Sequence, residues 1–374
     1  MSGPIVQHLI DPELCIRCNT CEETCPQQAI SNDFRNYVVD VAICNGCKAC
    51  VSPCPTGAIN NWRLVEAGEA YSLQQQFDWD ALPPQQGNEA GADEPGPPYP
   101  ERTPALGRVV ENRRLTRAVS GGDVHHIVVD VSGQDFPFLE GQSVGVIPPG
   151  LTAEGAPQRM RLYSVACSRT GEQGRAGVLA LTVKRVVDED GQGKAPGVCS
   201  NYLCDSRPGD ELRLTGPFGA DFLMPEDAAA GLLMICTGTG VAPMRAMMAR
   251  AREAGGGRGG MLIYGGRSPV EMAYHDALAS PRAGMEQGGV GIHFGYSRVS
   301  GQPRRYVQDV VQEQGAAVLA LLDDGRSHVY VCGLKGMEQG VLQAFAAVCR
   351  EHGRDWPVME ASLRSGGRLH VETY

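Results

Sequence analysis

The stretch CIRCNTCEETCP at residues 15–26 spaces four cysteines by two, two and three residues and ends on a proline. The same spacing recurs in CNGCKACVSPCP at residues 44–55. Intervals of two residues let one short segment reach three corners of a cubane cluster, and thiolates are the soft ligands that iron–sulfur clusters use. The alternative is a zinc site, which does not require this doubled pattern. The cysteine runs therefore favour two [4Fe-4S] clusters.

Each cluster is expected to take three cysteines from one run and the fourth from the other, as in two-cluster ferredoxins. The predicted ligands of cluster one are Cys15, Cys18, Cys21 and Cys54, and those of cluster two are Cys44, Cys47, Cys50 and Cys25. The prolines that follow Cys25 and Cys54 are expected to turn the chain away from each site.

Composition and charge exclude several classes of protein. The chain has 374 residues, enough for two or three hydrophobic cores. Its net charge of −10 argues against a nucleic-acid partner, because proteins that follow a phosphate backbone are usually basic. No apolar run approaches the roughly 20 residues of a membrane span, so no membrane association is expected. The first residues, MSGPIVQHLI, lack the features of a secretory signal, and a cytoplasmic location with reduced thiols is predicted.

Four segments of different character follow one another along the chain. Residues 1–62 form the cluster module, and residues 63–104 are predicted to be a linker or surface wrap, since residues 82–100 are rich in proline, glycine and acidic residues. Residues 105–224 show short strands split by glycine-rich turns, which predicts an antiparallel β-barrel. Residues 225–374 alternate strands with helices, which predicts a doubly wound parallel sheet. The predicted fold class is a multidomain α+β and α/β chain.

Two motifs in the antiparallel segment predict a flavin site. Arg161, Tyr163 and Ser164 end a strand, and residues 197–203 open a helix whose backbone N–H groups can receive a pyrophosphate. Arg161 would pair with a phosphate, Tyr163 would stack on the isoalloxazine, and Ser164 would hydrogen-bond near its N5 atom. The alternative for the first motif alone is a surface arginine beside a core tyrosine.

The parallel segment carries a glycine-rich turn of the kind that binds a diphosphate. Residues 237–243, TGTGVAP, follow a buried strand and precede a helix, so the glycines let a diphosphate approach the backbone. A tight turn without a ligand is the alternative. Downstream, the runs Ser297-Arg298 and Arg304-Arg305-Tyr306 place positive charge past another strand, which suits a 2′-phosphate or, alternatively, a solvated basic patch. Cys332 ends a further strand, where ligands bind in such sheets, unless it is a buried hydrophobe.

In this order the motifs resemble the plant-type ferredoxin–NADP reductases over roughly residues 105–374. The matching stretches are RLYS at 161–164, GVCSNYL at 197–203, TGTGVAP at 237–243, CGLKGM at 332–337 and the terminal Tyr374. The resemblance implies FAD and NADPH as cofactors, with hydride transfer beside Cys332, Glu372 and Ser164. The cofactor-binding residues that it implies are Arg161, Tyr163, Ser164, Lys184, Gly197, Val198, Cys199, Ser200, Thr237, Gly238, Thr239, Gly240, Gly266, Arg267, Ser297, Arg298, Arg304, Tyr306, Gly333, Leu334 and Tyr374.

The fusion of this reductase to the cluster module resembles the reductase components of benzoyl-coenzyme A epoxidases. That resemblance implies electron flow from NADPH through FAD and two [4Fe-4S] clusters to a separate di-iron oxygenase, which would be the protein partner. Two alternatives stay open: a reductase of the same build that serves another terminal acceptor, and an electron-carrier subunit without nicotinamide binding. The complete turn at residues 237–243 and the pair Ser297 and Arg298 argue against the second alternative.

Overall fold

The computed structural model describes residues 4–51, 54, 56–83, 97–117, 122–152, 155, 157–187, 196–255, 259–280, 289–334 and 336–373. Tyr374, the predicted aromatic partner of the flavin, lies outside the described residues, as do Pro55 and most of the acidic stretch at 82–100. The strands form two short two-stranded sheets near the N-terminus, one six-stranded sheet and one five-stranded sheet. The chain therefore has a cysteine module, an antiparallel unit and a parallel unit, in that order.

The strands are β1 (Pro4–Leu9), β2 (Ile30–Asn32), β3 (Tyr37–Val39), β4 (Asn61–Glu66), β5 (Ala105–Arg114), β6 (Val124–Asp130), β7 (Ser143–Ile147), β8 (Arg161–Ser164), β9 (Val178–Lys184), β10 (Glu211–Phe218), β11 (Leu232–Thr237), β12 (Gly260–Gly266), β13 (Val290–Tyr296), β14 (His328–Gly333) and β15 (Leu369–Thr373). The α-helices are α1 (Thr20–Thr24), α2 (Leu73–Phe77), α3 (Val198–Asp205), α4 (Val241–Glu253), α5 (His275–Leu278), α6 (Val307–Glu313), α7 (Gly315–Asp323), α8 (Met337–Glu351) and α9 (Trp356–Ser365). Within the described ranges, each helix is too short or too polar to cross a lipid bilayer.

The cysteine module is closed by its two outermost strands. β1 pairs antiparallel with β4, and β2 pairs antiparallel with β3. Gln76 binds α2 to strand β3 of the module. Its side-chain amide accepts a hydrogen bond from the Val39 N–H at 3.2 Å and donates one to the Val39 carbonyl at 3.1 Å. Ordered structure therefore continues past residue 62 into the segment predicted as a linker or wrap. The small core of the module consists of Ile10, Ile30, Val39, Ala58 and Ile59 together with the cysteines.

The antiparallel unit is a six-stranded sheet in the order β8-β7-β10-β5-β6-β9. Its two edges approach each other just after β8, where Val165 forms a bridge with Leu181 of β9. The Ala166 N–H donates to the Ala180 carbonyl at 2.8 Å in the same place. The strands thus agree with the predicted antiparallel segment. Among the described residues a single bridge joins the two edges of the sheet, so the closed barrel stays a prediction.

The parallel unit is a five-stranded sheet in the order β13-β12-β11-β14-β15, and every described pair in it is parallel. Alternate side chains point to opposite faces of a strand. Leu232 and Met234 of β11 accordingly pack with α4, whereas Leu233 and Ile235 pack with α6 to α9 on the other face. Burial on both faces explains the continuous apolar run of β11. Chain order reverses between β11 and β14, and ligands bind outside the carboxyl ends of strands at such a switch point.

Candidate active site and cluster sites

Four cysteines from both runs surround one cavity in the cysteine module, called cavity one here. Its thiols belong to Cys15, Cys18, Cys21 and Cys54, and its volume, part of it open to solvent, is about 310 Å³. α1 carries Cys21, which is buried, whereas Cys18 is exposed. These are the four residues predicted as ligands of cluster one.

The remaining four cysteines of the runs surround a second cavity, called cavity two. Its thiols belong to Cys25, Cys44, Cys47 and Cys50, and its volume, part of it open to solvent, is about 300 Å³. His8 also lines this cavity, and its ring stacks on Trp62 with centroids 3.8 Å apart. The fourth cysteine of each run thus lies at the cavity of the other run, as the spacing predicts.

The thiols around each cavity can hold a cubane cluster. In the part of the chain that the structure describes, no group of three or more His, Cys, Asp or Glu side chains is placed to bind one metal ion. The thiols instead lie around cavities, and a cubane is held by thiolates spread over its corners. Burial raises the pKa of the Cys15 thiol in cavity one and of the Cys50 thiol in cavity two to about 11, so each thiol would need a positively charged group in its own cavity to ionise near neutral pH.

The predicted flavin motif lies on β8 at an edge of the antiparallel sheet. Tyr163 lies opposite Val144 of β7, and the Ser164 hydroxyl lies 3.5 Å from that of Ser143. Tyr163 meets the thiol of Cys199 on α3, and burial, followed by this thiol, raises the pKa of the Tyr163 phenol. Arg161 is exposed at the start of the strand. The structure therefore brings Tyr163 and the N-terminal turn of α3 together.

The turn before α3 has little space for side chains. A Cβ on Gly197 would lie 2.6 Å from the Ser200 hydroxyl and 2.9 Å from the Cβ of Val186. The Ser200 hydroxyl donates to the Gly197 carbonyl and accepts from the Val186 N–H, both at 3.1 Å. Ser200 therefore holds the shape of the turn, a role that the sequence did not indicate. Val198 is exposed at the first helical position, and Lys184 is exposed at the end of β9.

The glycine-rich turn follows β11 and abuts the end of β14. A Cβ on Gly240 would lie 2.2 Å from the Cys332 carbonyl oxygen, and one on Gly333 would lie 2.2 Å from the Thr237 hydroxyl. The Leu334 N–H donates to the same Thr237 hydroxyl at 3.3 Å. Two predicted dinucleotide-binding turns are thus in backbone contact, which only glycine permits. Gly238 and Thr239 lie in the 3₁₀ turn that precedes α4.

Two of the three predicted catalytic residues are neighbours. Cys332 of β14 lies in register with Glu372 of β15. Burial raises the pKa of Glu372 to about 7, and the charge of Asp221 adds to the effect. Burial, with Glu372 next, raises the pKa of the Cys332 thiol well above its usual range, so this thiol is protonated. Ser164, the third residue, lies on the other large sheet.

The residues predicted for the dinucleotide phosphate meet at the ends of β12 and β13. The Ser297 N–H donates to the Gly266 carbonyl at 3.0 Å, and the Arg298 N–H donates to the Arg267 carbonyl at 2.7 Å. Tyr306, 43% exposed, precedes α6, and its N–H donates to Asp309 at 2.7 Å. These contacts place four predicted binding residues within two adjacent turns.

The arginines of this region differ in their availability to a ligand. Arg267 is paired with Glu271 at 3.6 Å, and Arg305 binds Glu313 at 2.8 Å. The Arg298 and Arg304 side chains are exposed, and neither forms an ion pair with any residue that the structure describes. Arg298 and Arg304 are therefore the arginines that can accept a phosphate without first breaking an ion pair.

A buried polar network joins the two large sheets and was missed by the sequence analysis. Arg245 of α4 donates to both oxygens of Glu172, each at 2.8 Å, and lies over the Tyr274 ring at 5.1 Å. The Tyr274 hydroxyl hydrogen-bonds to His126 at 2.9 Å and to Thr182 at 2.7 Å. These residues are separated by 73 to 148 positions in the chain, so no local motif could reveal their association.

Comparison with known proteins finds matching domain families for both the cysteine module and the parallel unit. A model of the oxidoreductase NAD-binding domain matches residues 234–343, and a 4Fe-4S binding domain matches residues 8–31 and 37–60. The ferredoxin–NADP reductase of Synechocystis sp. is 36% identical over 285 residues, covering 74% of this chain and 69% of that protein. The reductase of Spirulina sp. is 34% identical and is covered over 97% of its length.

Solved structures show the same fold. Ferredoxin–NADP⁺ reductase from Plasmodium falciparum superposes with a TM-score of 0.58 at 23% identity, covering 74% of this chain and 99% of that one. The chain therefore belongs to the ferredoxin–NADP reductase family, with 4Fe-4S binding domains joined to its reductase part. The family implies FAD and NADP, and the two 4Fe-4S matches imply iron–sulfur clusters for electron transfer.

Proposed function

We propose that the protein oxidises NADPH, takes the hydride onto FAD and passes the electrons singly through two [4Fe-4S] clusters to a protein acceptor. The observation that carries the proposal is the pair of cavities, each bounded by four thiols, on a chain whose remaining part belongs to the reductase family. Cluster one would be held by Cys15, Cys18, Cys21 and Cys54, and cluster two by Cys25, Cys44, Cys47 and Cys50.

The dinucleotide would bind at the switch point of the parallel sheet. The turn Gly238–Gly240 would receive the diphosphate on its backbone, since the preceding strand and the following helix give it the geometry of an anion site. Arg298 and Arg304 would bind the 2′-phosphate, because a guanidinium pairs with phosphate through two parallel hydrogen bonds. Ser297 and Tyr306 would complete this pocket.

Hydride transfer would take place between the two sheets. When bound, FAD supplies the capacity to accept a hydride and to release electrons one at a time. Tyr163 would stack on the ring system, with Tyr374 on its other side, and Ser164 would hydrogen-bond near N5. Glu372 would hold a proton beside the nicotinamide, because a pKa of about 7 suits proton exchange near neutrality. Cys332 would pack against the nicotinamide as a neutral thiol.

The proposed acceptor is the di-iron oxygenase component of a benzoyl-coenzyme A epoxidase. This part of the proposal rests on the resemblance of the fused chain to the reductase components of such systems. A reductase of the same build with another terminal acceptor is the competing assignment. The proposed domains are the cysteine module, which comprises residues 1–62 with the rest of β4 and α2, a flavin domain at residues 105–224 that is proposed to close into a barrel, and a dinucleotide domain at residues 225–374.

Cofactor content tests the cluster and flavin assignments together. Protein purified without oxygen should carry about eight iron, eight sulfide and one FAD per chain, as two full cubanes require. Titration with NADPH should bleach the flavin and then the clusters in the visible spectrum, and reduced clusters should appear by EPR. Stoichiometric zinc without sulfide would overturn the cluster assignment.

The acceptor is tested by reconstitution. The purified chain, NADPH and a di-iron oxygenase component should consume oxygen only when benzoyl-coenzyme A is added. Uncoupled NADPH oxidation with that component, together with fast reduction of a different electron carrier, would favour the competing assignment.

A further inference from the structure

The cysteine module contacts the antiparallel sheet through the loop of cavity one, which is the segment that connects Cys15 to Cys21. Ile16, between Cys15 and Cys18, packs against a buried apolar group on the sheet. That group consists of Ile147, Met160 and Phe218. Ile16 also lines cavity one. One side chain therefore joins the predicted site of cluster one to the flavin-binding unit.

Polar contacts fix the module in the same orientation. The Arg159 guanidinium donates to the Phe34 carbonyl at 3.0 Å, and Arg102 forms an ion pair with Glu13. Arg17, the neighbour of Ile16, donates from its Nε to the Arg35 carbonyl at 2.5 Å. Arg17 thus connects the loop of cavity one to the segment around Phe34. Arg159, two positions before Arg161, connects that segment to the antiparallel unit.

The apolar contact lies beside the flavin motif. Leu162 packs against the same group of Ile147, Met160 and Phe218 as Ile16 does. Leu162 lies between Arg161 and Tyr163, the predicted phosphate and isoalloxazine contacts. Cavity one and the strand that would hold the flavin are therefore linked through one shared apolar group, with Ile16 on one side and Leu162 on the other.

The loop of cavity two has a different environment. Residues 45–49, which connect Cys44 to Cys50, are all exposed to solvent. Position 45 is the counterpart of position 16 in the repeat and holds an asparagine in place of the isoleucine. The apolar contact with the sheet is accordingly specific to the first loop.

We infer that cluster one is the site that takes electrons from the flavin and cluster two is the site from which they leave, with Ile16 as the positioning residue for the first step. The inference rests on the proposed function. Each step removes one electron from its donor and adds one to its acceptor, and no bond forms or breaks. The hydride of NADPH supplies two electrons, one for each cluster.

A matched pair of ligand variants of the full chain tests the order. Cys18→Ser and Cys47→Ser replace the exposed second cysteine of each run, and a hydroxyl is a poor ligand for cluster iron. In Cys47→Ser, NADPH should still reduce the remaining cluster, as seen by freeze-quench EPR. In Cys18→Ser, the remaining cluster should be reduced by dithionite but not by NADPH within the same time. The reverse pattern, or reduction by NADPH in both variants, would overturn the inference.

A second pair tests the contact without removing a ligand. Ile16→Lys places a charge in the apolar contact, whereas Asn45→Lys makes the same substitution at the exposed counterpart. Stopped-flow spectra should show unchanged flavin reduction in both variants. Cluster reduction should slow by about tenfold or more in Ile16→Lys alone, because transfer is limited to the fraction of molecules with the module in place. Equal rates in the two variants would contradict a positioning role for Ile16.

Iron, sulfide and FAD contents separate this inference from the proposed function. A wild-type chain that lacks clusters or flavin would refute the proposed function. A wild-type chain with full cofactors and the opposite order of reduction would refute the inference alone.

Discussion

Arg245 of the parallel unit binds both carboxylate oxygens of Glu172, a buried residue of the antiparallel unit, at 2.8 Å. Burial alone would raise the pKa of Glu172, but the hydrogen bonds from His126 and Arg245 outweigh it and lower the pKa to about 2. The carboxylate is therefore charged at neutral pH, and it joins the two units by an ion pair whose carboxylate is shielded from water.

Glu172→Gln should lower the free energy of unfolding by about 3 kcal/mol, because it leaves the Arg245 guanidinium, whose side chain is only 27% exposed, without its counter-charge. A carboxylate with a depressed pKa stabilises the fold above its unfolded pKa of about 4.5, and this contribution is lost as the pH falls toward 2. Denaturant titrations between pH 6 and about 3 should therefore show a steeper loss of stability in wild type than in Glu172→Gln. The control is Glu360→Gln, which removes an exposed ion pair with Arg364 and should cost under about 1 kcal/mol. Equal costs for both variants would contradict the prediction.

Glu372 should control the pH dependence of flavin reduction. Its folded pKa of about 7 exceeds the ordinary 4.5, so the folded chain keeps a proton that the unfolded chain has lost. Stability therefore falls as the pH rises between these two values. Flavin reduction by NADPH, followed by stopped flow, should decline above about pH 7 in wild type and show no such inflection in Glu372→Gln.

The cause of the raised pKa has its own test. Asp221→Asn removes the charge that adds to the effect of burial, so the inflection should move to lower pH while its amplitude stays. For the Glu372→Gln variant of the preceding prediction, an inflection in the rate of flavin reduction that persists near pH 7 would assign the proton to another group.

Arg298 should discriminate between the two nicotinamide cofactors. Arg298→Ala is expected to weaken NADPH binding by about 1.5–3 kcal/mol, the range for a hydrogen bond to a charged group, and to leave NADH binding unchanged. The matched control is Arg305→Ala, which breaks an ion pair with Glu313 and should lower stability without changing the preference for NADPH. Dissociation constants for both cofactors decide the matter, and equal losses for NADPH and NADH would place Arg298 outside the 2′-phosphate pocket.

Gly240 should be intolerant of a side chain. In Gly240→Ala the new Cβ would lie 2.2 Å from the Cys332 carbonyl, so the two dinucleotide-binding turns must separate. We expect a loss of about 1–3 kcal/mol in stability, as for other overpacked sites, and weaker NADPH binding. Gly291→Ala on β13 meets only ordinary contacts from 3.6 Å and serves as the control. Thermal unfolding with and without NADPH measures both effects.

Local motifs made much of the site predictable. The cysteine spacing predicted which four thiols surround each cavity, because a cubane requires a fixed set of short intervals. The turn at Thr237 was predictable because glycines between a buried strand and a helix are typical of a tight turn, and the binding of a diphosphate there stays a prediction. The glycine-rich turn is encoded by a few adjacent residues, whereas each set of four thiols combines cysteines from both runs.

Long-range contacts were not predictable in the same way. β4 continues to Glu66 because it pairs with β1 at the other end of the module, and no feature near residue 62 indicates that pairing. The contact of Ile16 with the sheet depends on residues more than 130 positions away. An isoleucine at that position is equally compatible with a free surface loop.

Helix α4 has a consequence for how the reductase moves. It starts directly after the Gly238–Gly240 turn, and Arg245, its fifth residue, is anchored to Glu172 of the neighbouring unit. If the two large sheets rotated relative to each other, the Arg245–Glu172 contact would stay fixed. The Gly238–Gly240 turn would then move together with α4 about that contact. The anchor would therefore limit the movement of the turn relative to the antiparallel unit, so that less conformational entropy would be lost when a ligand binds at the turn.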